Sequence, residues 1–208
     1  MLDNLVFISG PHGAGKSTLI KKLLKKLPNS VSPELESRTP QFYWGNFTGK
    51  RNFFHRQALK YAQRAIENYE YWALAIREPG KIIIGDRCVY DGLAYRMAGI
   101  QLGWITEAES QLIENNLRIL YPEELLCPRA IILNPPFEMI KSHLEKRWKE
   151  TEWVKFMETD MDYLHAVCNS FKSFEGKNNI LYLGEEKDMS EEDAMAILIN
   201  WINKNKKG

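Results

Sequence analysis

The stretch from Leu5 to Ile20, LVFISGPHGAGKSTLI, carries residue types at a spacing suited to gripping phosphate. Gly10, Gly15, Lys16 and Ser17 fill the fixed positions of G-x-x-x-x-G-K-[ST], and the apolar run Leu5, Val6, Phe7, Ile8 leads into them. A loop built from Gly10, Gly13 and Gly15, with Ala14 between the last two, can adopt backbone angles closed to other residues. Successive N–H groups then turn inward around an anion. A helix opening near Lys16 adds its positive N-terminal end. Lys16 can then reach the β and γ phosphates of a nucleotide triphosphate, the Ser17 hydroxyl can join the shell of a magnesium ion, and Thr18 completes the loop. His12 lies near phosphate but at a position the motif leaves open, so it receives no catalytic role.

A second constellation follows in KIIIGDRCVYDGLAYR, where Asp86 and Arg87 stand directly after a short apolar run. A carboxylate is the hard ligand that magnesium prefers, which suits Asp86 to the ion directly or through water. The planar fork of Arg87 can bridge phosphate oxygens. The plainer alternative is that Asp86 and Arg87 pair with each other at a loop entrance.

These residues need a frame, and the periodicity supplies one. Leu19, Ile20, Leu23, Leu24 and Leu27 recur at helical spacing, with Lys21, Lys22, Lys25 and Lys26 between them as a solvated face, and Pro28 ends the helix. An extended segment is expected near Val31 to Glu36. A long helix runs from Phe53 to Ile76, stopped at Arg77 to Gly80. KIIIG and RAIIL read as buried parallel strands, and NILYL as a last strand. Between them a helix opens at about Val89, Thr106 with Glu109 forms a capping box, and Pro135 with Pro136 opens a further helix; Ser190 and Asp193 cap the closing one. Strands alternating with helices predict an α/β fold, a parallel sheet of about five strands with helices on both faces. Ligands then belong at the carboxyl ends of the strands.

Composition narrows the partners. A chain of 208 residues, with no repeat, is read as a single domain over 1–208. Its formal net charge of +1, from 28 basic and 27 acidic residues, gives no field drawing it to a nucleic-acid polymer or a membrane. Cys88, Cys127 and Cys168 are far apart and odd in number, which fits a reducing compartment and a cytoplasmic protein.

The phosphate-binding loop, then a strand ending in Asp86-Arg87, then Ala94 and Tyr95, resembles the thymidylate kinases, whose pattern after that strand runs D-R-Y-x-x-S-x-x-A-Y-Q. Cys88, Asp91 and Arg96 depart from it, standing where that family has Tyr, Ser and Gln. The chain also resembles deoxynucleoside kinases. Both resemblances imply a three-layer P-loop NTPase fold. They also imply that Asp86 and Arg87 lie at the reacting phosphates, and that a lid at about 141–155 brings Lys146, Arg147 and Lys149 over the transferring group. Glu145 with Lys149, and Lys146 with Glu150, have i,i+4 spacing and can pair on a helix surface. Arg147 has no acid four residues away on either side, which makes it the preferred lid cation. The REPG at Arg77 to Gly80 imitates a thymidylate-kinase signature but precedes its strand, at the opposite end of the sheet from the phosphates.

The acceptor should lie between Pro40 and Arg64, where Phe42, Tyr43, Trp44, Phe47, Phe53 and Phe54 offer faces for stacking or for core packing. Gln57 or Gln63 can read a base edge, Arg64 can hold a phosphate or ring oxygen, and Tyr95 is a further acceptor-side candidate. Glu34 or Glu36 can serve as a base toward a nucleoside hydroxyl, whereas Arg38 suits a monophosphate. The expectation is ATP- and Mg2+-dependent transfer to a nucleoside monophosphate, with a nucleoside kinase as the alternative and a regulatory ATPase a distant third. A homodimer stays open.

Overall fold

The computed structural model describes residues 2–33, 50–151, 157–184 and 191–204. Its centre is a parallel sheet of five strands in the order β2-β3-β1-β4-β5. These are β1 (Leu5–Ser9), β2 (Ser30–Val31), β3 (Ile82–Asp86), β4 (Ala130–Leu133) and β5 (Ile180–Leu183). The short apolar runs of β1, β3 and β4 are those of strands covered on both sides, while β2 and β5 at the sheet edges are only partly buried. The expected segment near Val31 starts at Ser30, pairing with Ile82 of β3; Glu34 and Glu36 lie outside the described residues.

Alternation along β1 assigns the two layers that cover it. Leu5 and Phe7 face a core shared with α2 (Phe53–Arg77), α3 (Val89–Gln101) and α7 (Met161–Lys172). Val6 and Ile8 face a second core shared with α1 (Lys16–Lys26) and α8 (Glu191–Lys204). The result is the helix–sheet–helix sandwich expected from the alternating pattern. Gly85 is needed on the first side because a Cβ there would meet the Phe7 ring at 2.4 Å.

The helices follow their sequence signals closely. α2 ends at Arg77, and α4 (Glu107–Leu120) opens with the anticipated box: Thr106 N–H donates to Glu109 Oε2 at 2.8 Å and Glu109 N–H to Thr106 Oγ1 at 3.2 Å. α6 (Phe137–Thr151) starts after the two prolines. Ser190 lies outside the described residues. Among the described residues, α5 (Glu123–Leu126), a single turn, and α7, which packs on α3, are additions to the sequence reading. The lysine face of α1 is largely solvated, with Lys21, Lys25 and Lys26 exposed. Asn4 Nδ2 donates to the carbonyls of Ala75, Glu78 and Lys81 at 3.0–3.3 Å, which fixes Arg77 to Gly80 at the amino end of the sheet, away from the loop. No described helix is long and apolar enough to cross a membrane.

Candidate active site

Strand order reverses at β1, whose neighbours β3 and β4 follow it in sequence on opposite sides, and this opens a crevice at the carboxyl ends. The loop sits in that crevice. At Gly10 the φ is 143° and a Cβ would stand 2.1 Å from the Leu133 carbonyl oxygen of β4. Gly15 caps α1 at φ 89° and opens onto free space beyond its N-terminus, where an anion can approach. Ser17 and Thr18 are exposed on the first turn. Lys16 is buried and folds over the loop, its Nζ donating to the carbonyls of Gly10 at 2.8 Å and Pro11 at 2.6 Å. Its ammonium group is therefore already inside the loop.

Asp86 ends β3 in register with Ile8, two residues before the loop begins. Its Oδ1 is buried and has no hydrogen-bond partner among the described residues. A buried carboxylate oxygen left unmatched is costly and calls for a cation. Magnesium is held by one or two protein oxygens, the rest of its shell being water and phosphate. The exposed Ser17 hydroxyl and Asp86 fit that donor set. Among the described residues no group of three or more His, Cys, Asp or Glu gathers as a separate metal centre.

Arg87 does not pair with Asp86. Its Nη1 donates to Asp91 Oδ1 at 2.7 Å and to the Tyr95 hydroxyl at 3.3 Å, with the guanidinium 5.9 Å from the Tyr95 ring centre. The backbone of Arg87 is left-handed, φ 68°, a conformation that costs a non-glycine residue about 1–3 kcal/mol. Two neighbours impose it: Arg87 N–H donates to the Ile8 carbonyl at 2.9 Å, and its own carbonyl accepts from Asn68 Nδ2 at 3.0 Å. The pairing alternative is thereby replaced by a longer network, because Asp91 Oδ2 also accepts from Ser9 Oγ at 2.7 Å and from the Cys88 N–H at 3.1 Å.

Asp91, which departs from the thymidylate-kinase pattern, ties β1, the strand end and α3 together. The signal that finds it is the capping box, an acid three residues after the N-cap Cys88. Cys88 itself is buried and its thiol is pushed up to about 12, chiefly by burial, so it offers no thiolate at neutral pH. Arg96, the third departure, turns away to the Ser110 carbonyl at 2.9 Å and Glu114 at 3.0 Å.

On the acceptor side, Arg64 reaches the same strand end: its Nη1 donates to the Asp86 carbonyl at 3.0 Å and lies 2.5 Å from Glu67 Oε2. Tyr95 stacks on Tyr163 at 6.3 Å and lies 5.3 Å from His12. Phe53 takes the packing role, fully buried against Trp104 and Tyr163. Gln63 donates to Glu67 Oε1 at 3.0 Å, and Gln57 is buried. Glu34, Glu36 and Arg38, with Phe42, Tyr43, Trp44 and Phe47, lie outside the described residues.

α6 rests directly on the loop. A Cβ at Gly13 would stand 3.0 Å from the Ile140 carbonyl and from Leu144, and His143 Nδ1 is 2.9 Å from the Gly13 carbonyl. Arg147 follows one turn later on the same face. The expectation that it lacks a partner within its helix holds, but it pairs outside it, through Nη2, with the buried Glu158. Lys146 and Glu150, by contrast, approach at 3.9 Å on an exposed surface. After β4, where a hydrolytic ATPase would want a second acid, stands the buried Asn134, whose Nδ2 donates to the Cys168 carbonyl at 2.9 Å and the Tyr182 hydroxyl at 2.8 Å and whose Oδ1 has no partner among the described residues.

The chain is 25% identical over 202 residues to a guanylate kinase of Caldanaerobacter subterraneus subsp. tengcongensis, covering 94% of this chain and 86% of that protein. Its fold resembles the deoxyadenosine kinase of M. mycoides solved with dCMP and dCDP, with a TM-score of 0.67 at 16% identity over 96% of this chain and 99% of that one. It also resembles the thymidylate kinase of Candida albicans, with a TM-score of 0.59 at 21% identity over 98% and 93%. The sheet, the loop and the curated relative define a phosphotransferase of the P-loop nucleotide- and nucleoside-kinase type. Residues 5–161 match the family described as AAA domain, and the chain belongs to that family.

Proposed function

We propose that the protein transfers the γ-phosphoryl group of ATP to a nucleoside monophosphate, as a single kinase domain with a lid at about 141–155. The observation that carries this is the convergence on one strand end of Lys16, the unmatched Asp86 oxygen, Arg87 and Arg64. Gly10, Gly13, Ala14, Gly15, Lys16, Ser17 and Thr18 hold the donor phosphates. Ser17 and Asp86 would hold Mg2+, which when bound neutralises charge on the β and γ phosphates. Arg87 and Arg147 face the negative charge of the moving group, which spreads over its oxygens in the transition state. Arg64 and Tyr95, with Glu36 and Arg38, form the acceptor side. A monophosphate oxygen is already ionised and needs no strong base, which suits a described site rich in arginine. The curated guanylate-kinase relative supports this acceptor class.

A second reading, transfer to a nucleoside hydroxyl, is favoured by the resemblance to deoxyadenosine kinase. It requires a base, and Glu34 or Glu36 would supply it. Incubation with ATP, magnesium and panels of nucleosides and nucleoside monophosphates, read by mass spectrometry, separates the two: a phosphorylated monophosphate is expected. Phosphate released equally in every well, with no phosphorylated acceptor, would overturn kinase activity altogether. Lys16→Ala should lower kcat by about 10^2–10^3-fold, the loss typical of removing one group that stabilises developing charge.

A further inference from the structure

Glu158 stands where the donor loop and α6 meet a second time. It is fully buried, just ahead of α7. Its Oε2 accepts from Arg147 Nη2 and from Trp148 Nε1 at 3.5 Å, both on α6. Its Oε1 lies 3.0 Å from His12 Nδ1, inside the loop. A carboxylate taken out of water persists only when matched, and its neighbours here come from two separate elements that both border the phosphates. The other charged groups facing His12 are Lys16 at the start of α1 and Arg87 at the end of β3. Two cations and a crowded loop leave His12 little reason to charge, whereas Arg147 brings a full positive charge to the carboxylate.

We infer that Glu158 is a positioning residue for phosphoryl transfer: it holds the Arg147 guanidinium against the His12 side of the donor loop before substrates arrive. A free arginine samples many rotamers and loses them on engaging phosphate; one already fixed by a buried carboxylate has less to lose, and charge aimed in advance is what stabilises a transition state. This inference rests on the proposal that Arg147 meets the transferring group. A carboxylate that merely closed the α6–α7 connection would stabilise the fold without affecting turnover per folded molecule.

The test is a double-mutant cycle on the whole protein with ATP, magnesium and the acceptor found in the screen. Glu158→Gln should lower kcat about 10–100-fold with the KM for ATP changed less than about 3-fold, and Glu158→Asp should recover part of the loss. Combining Glu158→Gln with Arg147→Ala should be no worse than Arg147→Ala alone, since both remove one arrangement. Multiplicative losses, or an unchanged kcat in Glu158→Gln, would overturn the inference. A readout free of turnover separates it from the role of Arg147. In Arg147→Ala the carboxylate loses this counter-ion, so the NMR titration of His12 should move upward from the wild-type midpoint. If kcat of Arg147→Ala is unchanged while His12 shifts, the lid role of Arg147 fails and the shared carboxylate stands. If His12 does not shift, the sharing itself is wrong. Should Glu158→Gln fail to fold, Glu158→Asp, whose shorter side chain withdraws the carboxylate from the guanidinium, should show a smaller loss in kcat that disappears in the Arg147→Ala background; a loss that persists there would overturn the inference.

Discussion

The donor edge and the acceptor edge of this crevice are made of different materials. At the donor edge the decisive features are backbone: Gly10 against the Leu133 carbonyl, Gly15 at a left-handed helix cap, and Arg87 held at φ 68° by β1 and α2. At the acceptor edge they are side chains on α2 and α3: Arg64 and Gln63 both meet Glu67, and the Tyr95 hydroxyl accepts from Arg87. Backbone geometry admits few residue types, whereas a wall of side chains can be rebuilt by exchanging one set of partners for another. The first edge should therefore be intolerant and the second adjustable.

The largest effect should come from Gly10→Ala, which places a Cβ 2.1 Å from a backbone oxygen at a φ that alanine resists. A loss of about 3–5 kcal/mol in unfolding free energy is expected, with donor binding impaired in whatever folds. A melting temperature within a few degrees of wild type would break the contrast between the edges. Next is pH. Burial is the main cause that lowers the His12 pKa to about 4, against an ordinary value near 6.5. Between those values the unfolded chain takes up a proton that the folded one refuses, so stability falls as pH drops from 6.5 toward 4. Urea unfolding across that window should show His12→Asn losing about 1–3 kcal/mol less than wild type; parallel curves would show that the imidazole is not held neutral. The smallest effect belongs to the acceptor edge. Tyr95→Phe removes one hydroxyl that accepts from Arg87 at 3.3 Å and should cost about 1 kcal/mol, seen as a change of a few-fold in kcat/KM for the acceptor. A hundredfold loss would show the acceptor side to be as rigid as the donor loop.

The same contrast decides what could be read from the sequence. Glycine spacing reports backbone requirements directly, so the loop, its strand and the start of α1 were legible at once. The strand ends at Asp86 and Leu133 were legible because buried parallel strands leave short apolar runs between turn signals. Asp91 and Glu158 were not read, for different reasons. Asp91 is visible as a capping residue, but its contact with Ser9 joins residues brought together only by the β1–β3 pairing. Glu158 meets His12 across most of the chain, and no local period marks a contact that tertiary packing creates. α7 was passed over because its buried face includes Tyr163, Cys168 and Ser170, polar or ambiguous types that dilute an apolar stripe. Phe53 belonged to a run of aromatics whose spacing cannot tell a stacking platform from a core.

The place of β1 in the sheet bears on how the chain is made. β1 is made before either of its partners, yet it is the central strand, and those partners are residues 83–86 on one side and 130–132 on the other. No sequence-adjacent hairpin can shelter it in the meantime. At ordinary rates of synthesis Leu5 to Ser9 waits on the order of ten seconds for its second neighbour, as an apolar strand with two open edges. Nascent-chain handling, rather than the stability of the finished sandwich, is then the stage at which substitutions in this strand would first be felt.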